Sequence, residues 1–495
     1  MHVSRAFPVA PLCRQSPDGS LVASLNASTV TVISTQSLRT KNTIQLPASL
    51  SKPFSSFAWS PSSKYLLVAG PEQIYVFSAL DASFKAAIDS PGLGPGKAPL
   101  VKFGARDSEV IACSAVGLKL SIYDLSSSRA VDVANPKFHH PGTASKTFAI
   151  RPKTGDLVIL SRTAGKDVIS IHDPVTREVQ RSWNADSVDA QGVLWTPNGE
   201  WLLLWESAAH GHKLWVYTPD GELFQDLDAG VLSQPENLDL APGIRLCQPS
   251  PLSDLCAIAD YSTTINIIST AKWRREIALT HPSTIEPTDS LQVWQEQLGV
   301  SPDGQPTCTF VRATQAISPG GLADSKAYSA AAAELKTGCV SALFDVSSSL
   351  LATKLEDAPS TLWIWDLSTA ELRAVLVFHS PVTFSWHHSS RELLLISCQD
   401  DTRPGVSYLW DPLSQGPSTL LADDYLLRKK PSTTPVKPQI TWLNLKDQDP
   451  ILFLSNDQNG RLLSLLDDDK EMSLWKDDDG EDQSTVDDTF AFKIT

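Results

Sequence analysis

The chain lacks the roughly eighteen continuous apolar residues that a membrane span requires, so no segment of it reads as transmembrane. Its opening residues, MHVSRAFPVAPLCRQSPDG, lack the apolar core of a secretory signal. Positive charge is scarce as well. A formal balance of −15 leaves no basic excess to neutralise a phosphate backbone, which argues against nucleic acid as the main ligand. None of the seven cysteines forms a Cys-x-x-Cys pair, which sets aside the common zinc and redox arrangements. Cys13, Cys113, Cys247, Cys256, Cys308, Cys339 and Cys398 lie scattered among apolar stretches. They are expected as buried free thiols of a soluble intracellular protein. Without an export signal the sequon Asn26-Ala27-Ser28 carries no weight.

Signatures of catalysis are missing too. There is no Gly-x-Ser-x-Gly elbow, and no cysteine has an assignable histidine partner. The stretch PGLGPGKAP, from Pro91 to Pro99, resembles a phosphate loop but fails in detail. Pro91 stands where the first glycine belongs, Ala98 replaces the Ser or Thr after the lysine, and its prolines remove backbone donors. The histidines His139-His140, His210 and His212, and His387-His388 come without the third ligand a metal needs. His210 and His212 read as a solvated hairpin loop, and His387-His388 as a turn. Carboxylate pairs are everywhere in so acidic a chain and discriminate nothing. No catalytic residue, cofactor or metal is therefore assigned.

What the chain does have is a period. The kernel is an apolar strand, a Ser-Pro-Asp-Gly-like turn, a second apolar strand, a gap, and a third strand ending in aromatic or Asp. Nine units begin at Cys13, Phe57, Val101, Phe148, Leu194, Leu246, Ala342, Phe384 and Ile440, mostly about 44 to 52 residues apart. That spacing is near the roughly 40–45 residues of a four-stranded propeller blade. Pro-Asp-Gly and Pro-Asn-Gly supply the backbone angles of a tight hairpin, and the runs between them are β-branched and aromatic. Blades stacked radially cover each other's faces. The sequence thus predicts an all-β, WD40-type β-propeller over residues 1–467, one large ring of seven to nine blades. Nine units exceed the common seven, so either the ring is large or weak units such as the last form something else. Val3 to Val9 is a candidate to complete the last blade.

The period also accounts for most of the tryptophans. Trp59, Trp195, Trp386 and Trp442 fall just before the turn, and Trp215, Trp365 and Trp410 in the third strand, so they read as packing between blades. The insertion 280–338 suits two strands extended outward from a blade, with a degenerate extra blade as the competing reading. Helix is suggested only from Tyr328 to Lys336. The loop 420–439 carries a basic triplet, Arg428, Lys429 and Lys430, and residues 468–495 form an acidic tail expected to be disordered. Trp273, Arg274, Arg275 and Trp294 lie outside the repeating positions and are candidate partner-binding residues. Trp475 is a fifth, as the anchor of an acidic peptide.

Three blocks carry a family resemblance: TPNGEWLLLW with HKLWVYTPDGELF, then GIRLCQPSPLSDLCAIADYSTTINIISTAKWRREIALTHPSTI, then TGCVSALFDVSSSLLATKLEDAPSTLWIWDLSTAELRAVLVFHSPVTFSWHH. In these the chain resembles the WD-repeat protein eight family, centrosomal and spindle-pole WD-repeat proteins of the type encoded antisense to a p53 relative. The Pro-rich acidic end departs from animal members and points to a fungal lineage. The resemblance implies a scaffold without catalytic residues, located in the cytoplasm at a spindle pole body or centrosome. It implies a coiled-coil partner of the SSX-two-interacting or mitotic-spindle-disanchored type. It also implies a minus-end-directed kinesin of the fourteen class, pole components associated with gamma-tubulin, and a role in anchoring microtubule minus ends. An enzyme with a site in the central channel, or a generic WD40 adaptor of another complex, is the alternative.

Overall fold

Turn chemistry decides where each blade folds back. In Ser16-Pro17-Asp18-Gly19 the Gly19 N–H donates to the Ser16 carbonyl at 2.9 Å, and Gly19 takes φ 72°. The same turn position has positive φ in Ser63 (64°), Gly199 (75°), Ser253 (62°) and Ser348 (60°). A left-handed residue is costly for a side chain, roughly 1–2 kcal/mol, so the serines need a reason. Their hydroxyls accept backbone N–H groups from the preceding unit: Ser63 from Asp18 at 3.3 Å, Ser253 from Asn198 at 2.9 Å, Ser348 from Leu252 at 3.4 Å. At Gly19 a side chain is impossible, because a Cβ would lie 2.6 Å from the Asn444 carbonyl carbon.

The computed structural model describes residues 1–465 and Trp475, less 51, 82, 90–99, 115–117, 138–145, 233–242, 301–305, 320–337, 390–391, 402, 427–436 and 446–448. These residues form nine sheets. Blade 1 comprises Leu12–Gln15, Leu21–Leu25, Thr29–Ser34 and Thr40–Gln45, a simple antiparallel meander. Blades 2 to 9 begin at Ser56, Leu100, Phe148, Ala190, Ile244, Cys339, Val382 and Gln439. First strands of successive blades touch one another, which puts them at the hub. Second strands such as Leu21–Leu25 are buried throughout, whereas an outer strand such as Thr40–Gln45 alternates exposed and half-buried.

The core is not one body. The nine apolar clusters each join one blade to the next, from Leu66 and Val32 between blades 1 and 2 round to Ile451 and Val22 between blades 9 and 1. Nine seams for nine blades make a single closed ring. The N-terminus completes it: His2–Val3 and Phe7–Pro8 both pair antiparallel with Asn459–Ser464 of blade 9. Between these two short pieces Ser4 keeps the ladder going. Its N–H donates to the Leu462 carbonyl at 2.9 Å and its Oγ accepts the Leu462 N–H at 2.8 Å. Gly460 leaves room for the Phe7 ring, which a Cβ there would meet at 2.8 Å.

First-strand tryptophans pack between blades, and three donate from Nε1 to the hub strand of the blade before. Trp59 reaches the Arg14 carbonyl at 2.9 Å, Trp386 the Leu343 carbonyl at 2.8 Å and Trp442 the Ser385 carbonyl at 3.1 Å. In blade 1 Gln15 holds the equivalent place and donates to the Trp442 carbonyl, so the closing seam keeps the pattern.

The insertion gives blade 7 two extra strands. Gln292–Val300 pairs in parallel with that blade's outer strand Glu371–Val377, and antiparallel with Pro306–Arg312. Ala374, Val375 and Leu376 are consequently buried in a row, whereas the described outer strands of the other blades bury at most one residue each. The helix expected from Tyr328 to Lys336, the loop at Pro91 to Pro99, the triplet Arg428–Lys430, His139-His140 and the acidic tail apart from Trp475 lie outside the described residues.

Candidate interaction surfaces

The structure spreads the five sequence-selected residues over three sectors. Trp273 corrects the expectation that it falls outside the repeat. It is the left-handed residue of a turn that recurs between third and outer strands, with φ 48°, alongside Leu38 (54°), Ser128 (55°), Arg177 (59°) and Ala370 (57°). Its indole is fully buried in the cluster joining blades 5 and 6 and meets Trp201 edge-on at 5.9 Å. A partner cannot reach it there. Arg274, next in sequence, is exposed, and Arg275 half-buried.

Trp294 is also buried, in the cluster joining blades 7 and 8. Its ring fits against Gly416, where a Cβ would approach Cε3 to 2.8 Å, and its Nε1 donates to Gln292 Oε1 at 3.1 Å. The insertion is thereby fastened onto blade 8. The fastening centres on Glu296, which is 3% exposed. Its Oε1 accepts from Arg403 Nη1 at 2.6 Å, Tyr408 OH at 2.7 Å and Cys308 Sγ at 3.2 Å, and its Oε2 from the His379 N–H at 2.7 Å. Burial alone would push this carboxyl up, but the bonds from Arg403, His379, Tyr408 and Cys308 together hold it below its ordinary value. Burial, then Glu296, raises Cys308 to about 11. A carboxylate with its lone pairs so occupied is a structural hub and a poor general base.

Other buried charges also stitch parts together. Arg177 of blade 4 pairs with Glu109 of blade 3, with Nη2 donating to Oε2 at 2.8 Å, and caps the Gly155 carbonyl at 2.8 Å. Lys137 donates to both oxygens of Asp167 at 2.9 Å. His212, expected in a solvated loop, is 3% exposed with Nε2 3.4 Å from Asp260 Oδ2, because the adjoining strand carries it inward. Between blades 6 and 7, His281 Nδ1 donates to the Thr263 carbonyl at 2.6 Å, and Nε2 accepts from the Thr353 hydroxyl at 2.8 Å. That hydroxyl in turn accepts from Trp365 Nε1 at 3.0 Å, and burial holds the imidazole down to about 4. It is a neutral spacer.

A cavity of about 460 Å³ opens between blades 8, 9 and 1, lined by Gln15, Thr383, Ser385, His388, Thr441 and Asn444 among others. Among the described residues no carboxylate lines it, and burial holds His388 below its ordinary value. Among the described residues no group of three or more His, Cys, Asp or Glu could hold a metal.

Exposed apolar residues favour one face of the ring, the one carrying the hairpin turns that follow the first and third strands of each blade. Leu80, Val175, Val179, Leu223, Phe224, Leu252 and Leu413 all lie at those turns or one step beyond them. The densest part is over blades 5 and 6, where Phe224 (53% exposed) lies 4.6 Å from Trp201, with Leu223 and Leu252 also exposed. Trp201 in turn rests on buried Trp273, so a rigid stack leads from core to surface. Sequence reasoning missed this face; the signal was the apolar residue just after the turn, as in DGELF.

The chain is 24% identical over 437 residues to the mouse WD repeat-containing protein WRAP73, across 83% of this chain and 87% of the relative. Its likeness is to WD-repeat proteins. No family model matches the chain. Two solved structures each cover 83% of it: a crystal structure of the eukaryotic initiation factor, at 12% identity, 87% of that chain and TM-score 0.49, and the Dos1 propeller, at 9%, 92% and 0.48. The nine-bladed ring is read from its own sheets.

Proposed function

We propose that the chain is a non-catalytic adaptor which holds a helical segment of a coiled-coil partner on its hairpin-turn face, at a spindle pole body or centrosome. There the pair, with a minus-end-directed kinesin of the fourteen class and pole components associated with gamma-tubulin, anchors spindle microtubule minus ends. The observation that carries the adaptor reading is the allocation of side chains. Bulky and charged groups are committed to seams, while Phe224, Leu223 and Leu252 stand exposed on a rigid backing. Leucine and aromatic anchors of this kind suit the apolar stripe of an amphipathic helix, and exposed Arg274 offers its acidic flank a charge. The pole reading is supported by the family resemblance of the three sequence blocks and by the likeness to WRAP73.

Crosslinking mass spectrometry on the complex, purified under native conditions from its own cell, tests this. A coiled-coil protein should be recovered, with crosslinks on the turn face of blades 5 and 6. Leu223→Asp with Phe224→Asp should lose it while leaving the thermal midpoint nearly unchanged. Recovery of metabolic enzymes alone, or turnover of a compound by the pure chain, would contradict the reading.

A further inference from the structure

Both ends of the ring meet at the seam between blades 9 and 1, and a piece of the acidic tail is seated there. The Trp475 indole donates from Nε1 to the Thr35 carbonyl at 3.1 Å. It packs onto the apolar cluster that holds Phe7, Leu38, Leu443 and Phe453. The carbonyl is well fixed, since the Thr35 hydroxyl is itself bonded to the Gly19 carbonyl at 2.9 Å.

Comparison with the seam between blades 5 and 6 shows why an indole fits. There the left-handed turn residue is Trp273, which supplies an indole to the seam from within the repeat. At the closing seam the same turn position is Leu38, a much smaller side chain, and the indole arrives from the tail. Charge agrees with this. Arg5, which donates to the Ser37 carbonyl at 3.0 Å, and Arg39, next to Leu38, are both exposed beside the turn. Asp467–Asp469 and Asp477–Asp479 bracket Trp475 in the sequence.

We propose that this seam is a binding site for an acidic, tryptophan-bearing peptide, and that Trp475 is its occupant in cis. The site is thereby closed to the same kind of peptide from outside until the tail is displaced. A tethered segment acts at an effective concentration of roughly millimolar, so cis occupancy masks the site against a peptide supplied at micromolar concentration. The inference stands apart from the adaptor reading, which uses a different sector of the ring.

The test uses the full chain and a labelled peptide of residues 468–482, followed by fluorescence anisotropy. The peptide should bind the Trp475→Ala chain at least tenfold more tightly than the wild-type chain, and raising the salt from 50 to 500 mM should weaken binding several-fold. A peptide carrying alanine for its tryptophan should not bind. Replacing Asp477, Asp478 and Asp479 by lysine, which leaves Trp475 and the ring intact, should open the site several-fold. Equal binding to wild-type and Trp475→Ala chains, binding to neither, or equal binding of the alanine peptide would each overturn the proposal.

Discussion

At the seam between blades 3 and 4 the left-handed turn residue is Arg177, whose guanidinium is buried against Glu109. Between blades 5 and 6 the same backbone position carries Trp273, buried in an apolar cluster. Between blades 9 and 1 it carries Leu38, supplemented from the tail by Trp475. What these three seams share is therefore a direction: Leu38, Arg177 and Trp273, each with positive φ, aim their side chains at the preceding blade. The chemistry that fills the gap is free to vary, which is why the repeat is weak in sequence and regular in space.

The comparison can be broken at its apolar member first. Trp273→Ala should cost about 3–5 kcal/mol, the usual price of deleting a fully buried aromatic, read as a lowered urea midpoint. Arg177→Ala should come close to that, about 3–5 kcal/mol at most, because it leaves Glu109 buried and charged without its cation. Arg177→Met with Glu109→Gln should recover most of that loss; a double variant as unstable as the single would mean the pair is worth more than its burial costs. Together these would show whether an ion pair and an indole are interchangeable at one position.

A third seam sharpens the point through pH. His281 has its folded pKa lowered by burial from 6.5 to about 4, so the folded ring takes up the proton less readily than the unfolded chain. Its contribution is complete above pH 6.5 and is lost as pH falls from 6.5 toward 4, about 3 kcal/mol in all. Stability measured across that window should slope upward with pH, and His281→Gln should flatten the slope. The smallest effect belongs to the turn serines. Ser253→Ala loses the bond from the Asn198 N–H and keeps the left-handed cost, about 1 kcal/mol, whereas Ser253→Gly sheds that cost and should be closer to neutral.

Much of this was legible in the chain. The nine unit starts predicted a ring of seven to nine blades, of which the upper number is present, the turn motifs located the hairpins, and Trp59, Trp386 and Trp442 stood where inter-blade donors stand. The two strands of the insertion were also foreseen, though not their parallel pairing with Glu371–Val377. Other features were hidden for physical reasons. Arg177 and Glu109 are 68 residues apart, and no local pattern joins them. Trp273 sits in Ser-Thr-Ala-Lys-Trp-Arg, where nothing announces a positive φ, so it read as a surface anchor. Nothing in the sequence marks Ser63, Ser253 and Ser348 as the residues whose hydroxyls tie blade to blade.

The account rests on a ring closed by the chain's own beginning. His2 lies opposite Ser464 in antiparallel register, at a spacing of about 5.5 Å for such pairs, which a disulfide can bridge. In a His2→Cys, Ser464→Cys chain, mild oxidation followed by peptide mass spectrometry should find that crosslink in the folded protein, with a raised thermal midpoint and neither change in the single variants. A chain that stays uncrosslinked, and whose first nine residues can be cut away without loss of stability, would contradict closure.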